Sequence, residues 1–338
     1  MERRRFLQIA QAGAVACVTA PYALGAHAQS AKFKLKWANT FPADHPINVR
    51  IAEALKQINQ ESNGQVAIQF FPNGLLGSET DSLSQLRAGS IDFLSYAGTG
   101  LAPLVPVASL SDVPFSFKTY AQIWPAMDGD LGAYIRENIE KYDIHCLDRC
   151  FDLGFRELTS GTRRVRAPED LKGFKIRVPV NPMYTSLWET LGAAPTSINF
   201  SEAYSALQTH LVDGQENPLA TIEISKFYEV QKYCSMTNHM WINQWNLCNQ
   251  KSWNKLPADV QQLINKHMDQ AVVLERADLA KISADAEAFL KGKGLVFDYP
   301  QASAFRDALS KGGFYSTWRK KLGPVAWAKL EKYAGQME

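Results

Sequence analysis

The groups best placed by type and spacing to do chemistry lie in the middle of this 338-residue chain. Arg177 stands in the run Phe174-Lys175-Ile176-Arg177-Val178-Pro179. Read as a strand from Phe174, alternation sets Lys175 and Arg177 on one face and Ile176 and Val178 on the other. Arg177 then occupies the C-terminal end of the strand, where open α/β sheets take their ligands. Its guanidinium is a planar fork that matches a carboxylate. A surface arginine in an ordinary salt bridge is the alternative. Asn217 lies in Asp213-Gly214-Gln215-Glu216-Asn217-Pro218, which reads as a loop punctuated by glycine and proline. Its amide could donate to a carboxylate or cap the next helix. Arg156, in Leu153-Gly154-Phe155-Arg156-Glu157, is a second possible partner for an anion.

Other chemistry is missing. There is no Walker loop, complete Gly-x-Gly-x-x-Gly, His-Glu-x-x-His, Gly-x-Ser-x-Gly or Cys-x-x-Cys. His45, His145, His210, His239 and His267 are scattered, and no Ser/His/Asp arrangement suggests itself. His145 beside Cys146 lacks a second ligand cluster at metal spacing, so neither a metal nor a cofactor is expected. Cys146 and Cys150 lie in a strand-like run, where four residues span roughly 13 Å, too far for a disulfide. Cys234 and Cys248 could face each other across a hairpin-like return near Trp241, but buried free thiols are the expectation.

The elements that must position these groups begin after a leader. Arg3-Arg4-Arg5-Phe6-Leu7, a mildly apolar stretch and Ala26-His27-Ala28 read as a cleavable, twin-arginine-like export signal over residues 1–28. A lipoprotein anchor at Cys17 is the minor alternative, and Sec export is not distinguished from twin-arginine export. Without the leader the chain carries 33 residues of each charge sign and no basic stripe, so nucleic acid is not an expected partner. The mature chain then reads as a strand at Phe33–Ala38, a helix opening at Pro46, a strand at Gln65–Phe71, a helix capped by Ser78 and a strand at Ile91–Ala97. A second block has strands at Phe174–Val178 and Ala194–Ile198 and helices at Pro182–Leu191 and Ser201–His210. This order argues parallel sheets covered by helices. Leu86-Arg87-Ala88-Gly89-Ser90-Ile91-Asp92 aligns without gaps to Leu207-Gln208-Thr209-His210-Leu211-Val212-Asp213, which suggests two similarly built lobes. From Pro257 to Leu290 one helical pattern runs without glycine or proline. At about 1.5 Å per residue it is long enough to lie across both lobes. Ser303 to Tyr333 reads as further amphipathic helix.

Several runs together resemble the TRAP transporter solute-binding proteins of the DctP family. They are Arg177-Val178-Pro179; Leu191-Gly192-Ala193-Ala194-Pro195-Thr196; Phe200-Ser201-Glu202-Ala203-Tyr204; Val212-Asp213-Gly214-Gln215-Glu216-Asn217-Pro218; and Lys226-Phe227-Tyr228-Glu229. Gly74-Leu75-Leu76-Gly77 and Gly89-Ser90-Ile91-Asp92 extend the likeness toward the N-terminus. The resemblance implies an α/β periplasmic receptor of the Venus-flytrap kind, with two mixed sheets, hinge strands and a long helix spanning both lobes. One lobe would comprise 29–153 and 241–282, the other 154–240 and 283–338. It implies that Arg177 pairs with a substrate carboxylate, that Asn217 and Arg156 assist, and that Phe200 lines the pocket. Thr40, Asn39 and Glu79 are first-lobe candidates for hydroxyl contacts. His239 is expected behind the site, while Trp241 and Gln244 face either the cleft or the core. The implied partners are an organic acid and the two membrane subunits of a sodium-driven permease, with the receptor a monomer. The motifs are nearest to the sialic-acid receptors, whose glutamate and arginine after the third strand are replaced here by Ala97-Gly98-Thr99-Gly100. Sialic acid is therefore disfavoured against sugar acids, keto- or hydroxy-acids, dicarboxylates and aromatic acids. A periplasmic hydrolase or lyase using Glu79 and Glu216, and a ligand-binding sensor, are the rival readings.

Overall fold

The computed structural model describes residues 31–338; the export signal and Cys17 lie outside the described residues. The first block is β1 (Phe33–Ala38), α1 (Pro46–Glu61), β2 (Val66–Phe71), α2 (Glu79–Ala88) and β3 (Phe93–Ala97). Local chemistry fixes each boundary. Pro46 opens α1, His45 Nδ1 accepts a hydrogen bond from the Ile47 amide at 3.3 Å, and Ile47, Ile51, Ala54, Leu55 and Ile58 form the buried stripe. Ser78 and Asp81 cap α2 reciprocally, and Gly89, at φ 76°, closes it in the left-handed region. The strands lie parallel in the order β2-β1-β3.

A helical connection, α3 (Gly98–Leu101), α4 (Tyr120–Met127) and α5 (Asp130–Glu140), leads to β4 (Ile144–Cys146) and the ten-residue β5 (Phe151–Ser160). The second block repeats the first: β6 (Lys175–Val178), α6 (Pro182–Thr190), β7 (Ala194–Ser197), α7 (Phe200–Gln208) and β8 (Gly214–Pro218), with parallel order β7-β6-β8. The aligned heptapeptides do the same work in each. Gly89 and His210 both leave their helices at positive φ, 76° and 57°. Asp92 accepts from the Lys36 amide of β1 at 2.9 Å, and Asp213 from the Lys175 amide of β6 at 3.0 Å.

The chain continues through α8 (Leu219–Ile224), β9 (Tyr233–Ser235), β10 (Trp241–Asn249), α9 (Gln250–Asn254), α10 (Ala258–Gly292), β11 (Val296–Asp298), α11 (Ala302–Lys311), α12 (Phe314–Leu322) and α13 (Pro324–Ala334). β10 returns to the first block beside β3, and β5 enters the second beside β8. The two cross as an antiparallel pair, giving the path β2-β1-β3-β10-β5-β8-β6-β7. β5 exchanges partners midway: Phe151–Phe155 face β10, and Arg156–Ser160 face β8. Beside that exchange Gly154 holds φ 101°, and β10 carries a register shift between Ile242 and Asn243.

α10 is one unbroken helix of 35 residues, packed on α1, β5 and α8, so it touches both blocks. Arg50 of α1 reaches Asp278 at 2.6 Å, and Lys266 reaches Glu61 at 2.7 Å. The tail also serves both sides: α11 and α12 pack on α6, α13 on α4 and α5.

One expectation is corrected, and one is met by the cysteines. Gly214–Pro218 is a buried strand rather than a loop. Its polar side chains carry no hydrophobic alternation, yet each finds a partner inside. A Cβ at Gly214 would overlap the Thr159 carbonyl oxygen and the Phe174 ring. Cys234 and Cys248 are not bridged and do not face across a hairpin. They lie in β9 and β10, on sheets of different blocks, and the four cysteines described are buried free thiols.

Candidate functional site

The C-terminal ends of the parallel strands of both blocks face one cavity of about 70 Å³, where the halves of the sheet meet. Arg177, at the end of β6, is the central feature. It is 2% exposed and its Nε donates to the Ile198 carbonyl at 2.9 Å. It lines the cavity, and its terminal nitrogens hydrogen-bond no carboxylate among the described residues. Burial, followed by the like charge of Arg156, pulls its pKa down to about 10. The alternative of a surface arginine in a salt bridge is thereby overturned.

Arg156 enters from β5 with its charge already met. Its fork grips Glu216 of β8, Nε on Oε2 and Nη2 on Oε1, the latter at 2.8 Å. Its guanidinium also stands over the Tyr184 ring at 5.3 Å. Burial opposes the charge on both partners, and their mutual attraction more than offsets it: the Glu216 carboxyl is held below its usual range and Arg156 is raised. His239 sits behind Glu216. Burial lowers its pKa, and the neutral ring donates from Nε2 to Glu216 (3.1 Å) and accepts at Nδ1 from Thr237 (2.8 Å). Glu216, tied to both, is not free to act as a general acid or base.

Asn217 lines the cavity and is braced along its own strand, donating to Gln215, which donates in turn to Thr159 at 2.9 Å. Phe200, first residue of α7, forms another wall and meets Phe41 edge-on at 5.0 Å. Phe41 is itself stacked on His45 at 4.6 Å. From the first block, Glu79 at the start of α2 accepts from the Phe200 amide at 3.2 Å, joining the halves across the cavity. Its other oxygen, Oε1, is shielded and unpartnered. Thr40 and Gln244 line the wall, whereas Asn39 does not. Asn39 lies behind Gln244 and exchanges hydrogen bonds of 3.1 and 3.3 Å with it. Trp241 is core: its indole donates to Asp152 at 2.8 Å and packs edge-on against Trp124.

Sequence reasoning missed the rest of the wall. Leu153 and Ile242 come from the crossing strands, and Tyr96, Thr99 and Gly100 from the end of β3 and α3. A Cβ on Gly100 would lie 2.7 Å from the Tyr96 ring. That close approach favours glycine at position 100. Asn181 was also missed. It caps α6 by accepting from Met183, and its amide crosses the gap to Thr99 O (2.9 Å) and Ser109 Oγ (2.7 Å). Its place before Pro182 marks a cap, but no short-range signal reveals the bonds across the gap.

Three comparisons bear on this arrangement. The profile of the family described as bacterial extracellular solute-binding protein, family 7 (DctP), matches residues 37–312. A solute-binding protein of Roseobacter denitrificans is 33% identical over 95% of this chain and 98% of its own length. The sialic acid-binding periplasmic protein SiaP of Vibrio cholerae is 33% identical over 83% of this chain and 85% of its own. Among solved structures, a TRAP periplasmic solute-binding protein from Polaromonas bound to D-erythronate is 26% identical. It superposes with a TM-score of 0.85 over 90% of this chain and all of its own.

Proposed function

The chain belongs to the DctP family of extracellular solute-binding proteins, and from that premise we propose that it is the extracytoplasmic receptor of a TRAP transporter. In this reading it takes up an organic acid by its carboxylate and presents it to a membrane permease for sodium-coupled import. One observation carries the assignment of the site: Arg177 is buried, cationic and hydrogen-bonded to no carboxylate among the described residues. A ligand carboxylate supplies the missing charge through two parallel hydrogen bonds. Asn217 adds a polar contact, Phe200 packs over the ligand, and Glu79, Thr40 and Gln244 approach from the other side. Arg156 holds the neighbouring strands together through Glu216 and gives the cavity at most its remaining nitrogen.

Two lobes, 29–153 with 241–282 and 154–240 with 283–338, would close about the crossing of β5 and β10. The partner exchange in β5 and the positive φ of Gly154 support a hinge there. α13, packed on α4 and α5, ties the end of the second segment to the first lobe. The leader would carry the chain out of the cytoplasm, and no described helix is long and apolar enough to cross a membrane.

The test is calorimetric titration with organic acids, with the ligand weighed after release. Binding that falls at least about 30-fold in Arg177→Ala, with the acid recovered unchanged, is expected. Undiminished binding in that variant sinks the assignment of Arg177, and a changed mass sinks the receptor reading in favour of catalysis.

A further inference from the structure

We propose that the cavity selects a short acid with a single carboxylate and a hydrogen-bond donor of its own, a hydroxyl or an ammonium, and that it rejects a second carboxylate. The inference rests on the receptor reading above and narrows its substrate class. It begins from the charges at the wall. Arg156, Arg177 and Glu79 are the charged side chains that line the cavity among the described residues. Arg156 is paired with Glu216 through Nε and Nη2, which neutralises its charge and leaves only Nη1 uncommitted. A ligand therefore meets one cation with no salt-bridged carboxylate, Arg177, and one carboxylate with no salt-bridged cation, Glu79, among the described residues.

Glu79 supplies the second half of the argument. Its Oε2 accepts from the Phe200 amide, while Oε1 is shielded from solvent and accepts from nothing. A carboxylate can only accept, so Glu79 offers a ligand acceptor lone pairs and no donor. The remaining wall offers no cation to compensate a second ligand carboxylate. Tyr96 and Thr99 present hydroxyls, while Leu153, Ile242 and Gly100 are apolar. A dicarboxylate would set its far end against Glu79 as a like charge. Arg177 and Glu79 belong to opposite blocks, so a ligand with a carboxylate at one end and a donor at the other bridges them and favours closure. The small volume limits that bridge to a few carbons.

The test is titration of the dialysed full-length mature protein with two matched series that differ only at the far end. One is propionate, 3-hydroxypropionate, β-alanine and malonate; the other is butyrate, 4-hydroxybutyrate, 4-aminobutyrate and succinate. The hydroxyl or ammonium member should bind at least about 10-fold tighter than the unsubstituted acid and the dicarboxylate. Glu79→Gln, which keeps shape and one acceptor, should shrink that advantage and improve dicarboxylate binding, with the larger loss for the ammonium member if the donor is cationic. A dicarboxylate that binds as tightly as the donor-bearing acids, a pattern unmoved by Glu79→Gln, or no binding in either series overturns the proposal. Arg177→Ala separates the two levels of inference. If it binds the series as the parent protein does, the receptor site itself is misassigned. If it loses every member while selectivity fails in the parent, only this narrower inference falls.

Discussion

Two arginines of one type show how surroundings assign a role. Arg156 and Arg177 are both almost wholly buried, yet one is paired with Glu216 and the other hydrogen-bonds no carboxylate among the described residues. Opposite consequences follow for stability. Glu216→Gln leaves the Arg156 charge buried without its partner and should cost about 3–5 kcal/mol in urea unfolding. Arg177→Met removes an uncompensated charge while keeping an apolar stem. The ligand-free variant should unfold at the same urea concentration as the parent or higher, even as carboxylate affinity collapses. A marked loss of ligand-free stability in Arg177→Met would mean that the arginine is already paired within the protein. The residue types were legible in sequence, since a basic residue at a strand end before proline invites the assignment. The pairing was not, because Glu216 lies 60 positions from Arg156 and meets it only through the β5–β8 register.

Among the elements, β5 and α10 are under the greatest constraint. Gly154 sits where β5 exchanges neighbours, at φ 101°, and a Cβ there would approach Pro218 Cβ at 3.3 Å. Gly154→Ala should therefore destabilise the fold by about 1–3 kcal/mol, read from thermal or urea unfolding. Where α10 crosses β5, Glu275 is fully buried and accepts from the Asp152 amide at 3.0 Å, while its other oxygen has no partner. Burial, reinforced by the charge of Asp152, pushes the Glu275 carboxyl well above its usual range. Burial also raises Asp152 to about 6. The folded chain thus keeps protons that the unfolded chain releases near pH 4. Their stabilisation is complete below that pH and is lost as pH climbs through the folded values. Melting temperature should fall from pH 4 toward pH 8 on this account, and Glu275→Gln should flatten the decline and raise the melting temperature at pH 8. A pH profile unchanged by the substitution would contradict the assignment. The long helix itself was plain from an unbroken pattern free of glycine and proline; its buried acid facing β5 was not.

At the scale of the whole molecule, two copies of one strand–helix–strand unit are joined by a pair of crossing strands and overlaid by α10 and the C-terminal helices. Around the cavity the halves meet through the Phe41–Phe200 edge contact, Glu79 on the Phe200 amide, Asn199 on Thr80 at 3.5 Å, and Asn181 on Thr99 and Ser109. On the proposed hinge, closure is an equilibrium that a ligand shifts by its differential contacts. Asn181 does not line the cavity, so it offers a clean probe. Asn181→Ser keeps an oxygen to cap α6 but is too short to reach across. It should weaken ligand affinity about 5- to 10-fold through the closed population alone, with little change in ligand-free melting temperature. Equal affinity in Asn181→Ser and the parent would show that this bridge does not bear on closure.

The sequence by itself determined what is local. Caps, left-handed turns and hydrophobic spacing placed α1, α2, α6, α7, α10, the C-terminal helical stretch and the parallel strands β1–β3, β6 and β7, because those signals act between residues a few positions apart; α3–α5, α8, α9, β5 and β8–β11 carried no such signal. The repeated heptapeptides announced the two-block plan, and Asp92 and Asp213 turn out to make the same backbone hydrogen bond. The motif pattern identified the family and singled out Arg177, Asn217 and Phe200, all of which line the cavity. What only the tertiary structure decided is how buried polar groups are apportioned. β8 carries no hydrophobic alternation and became a strand because its side chains are satisfied by β5. Asn39 fell behind Gln244, Trp241 went to the core, and Leu153 and Ile242 came to the wall through the crossing of β5 and β10. Those outcomes depend on which strands pair and in what register, and that is settled by contacts between residues far apart in the chain.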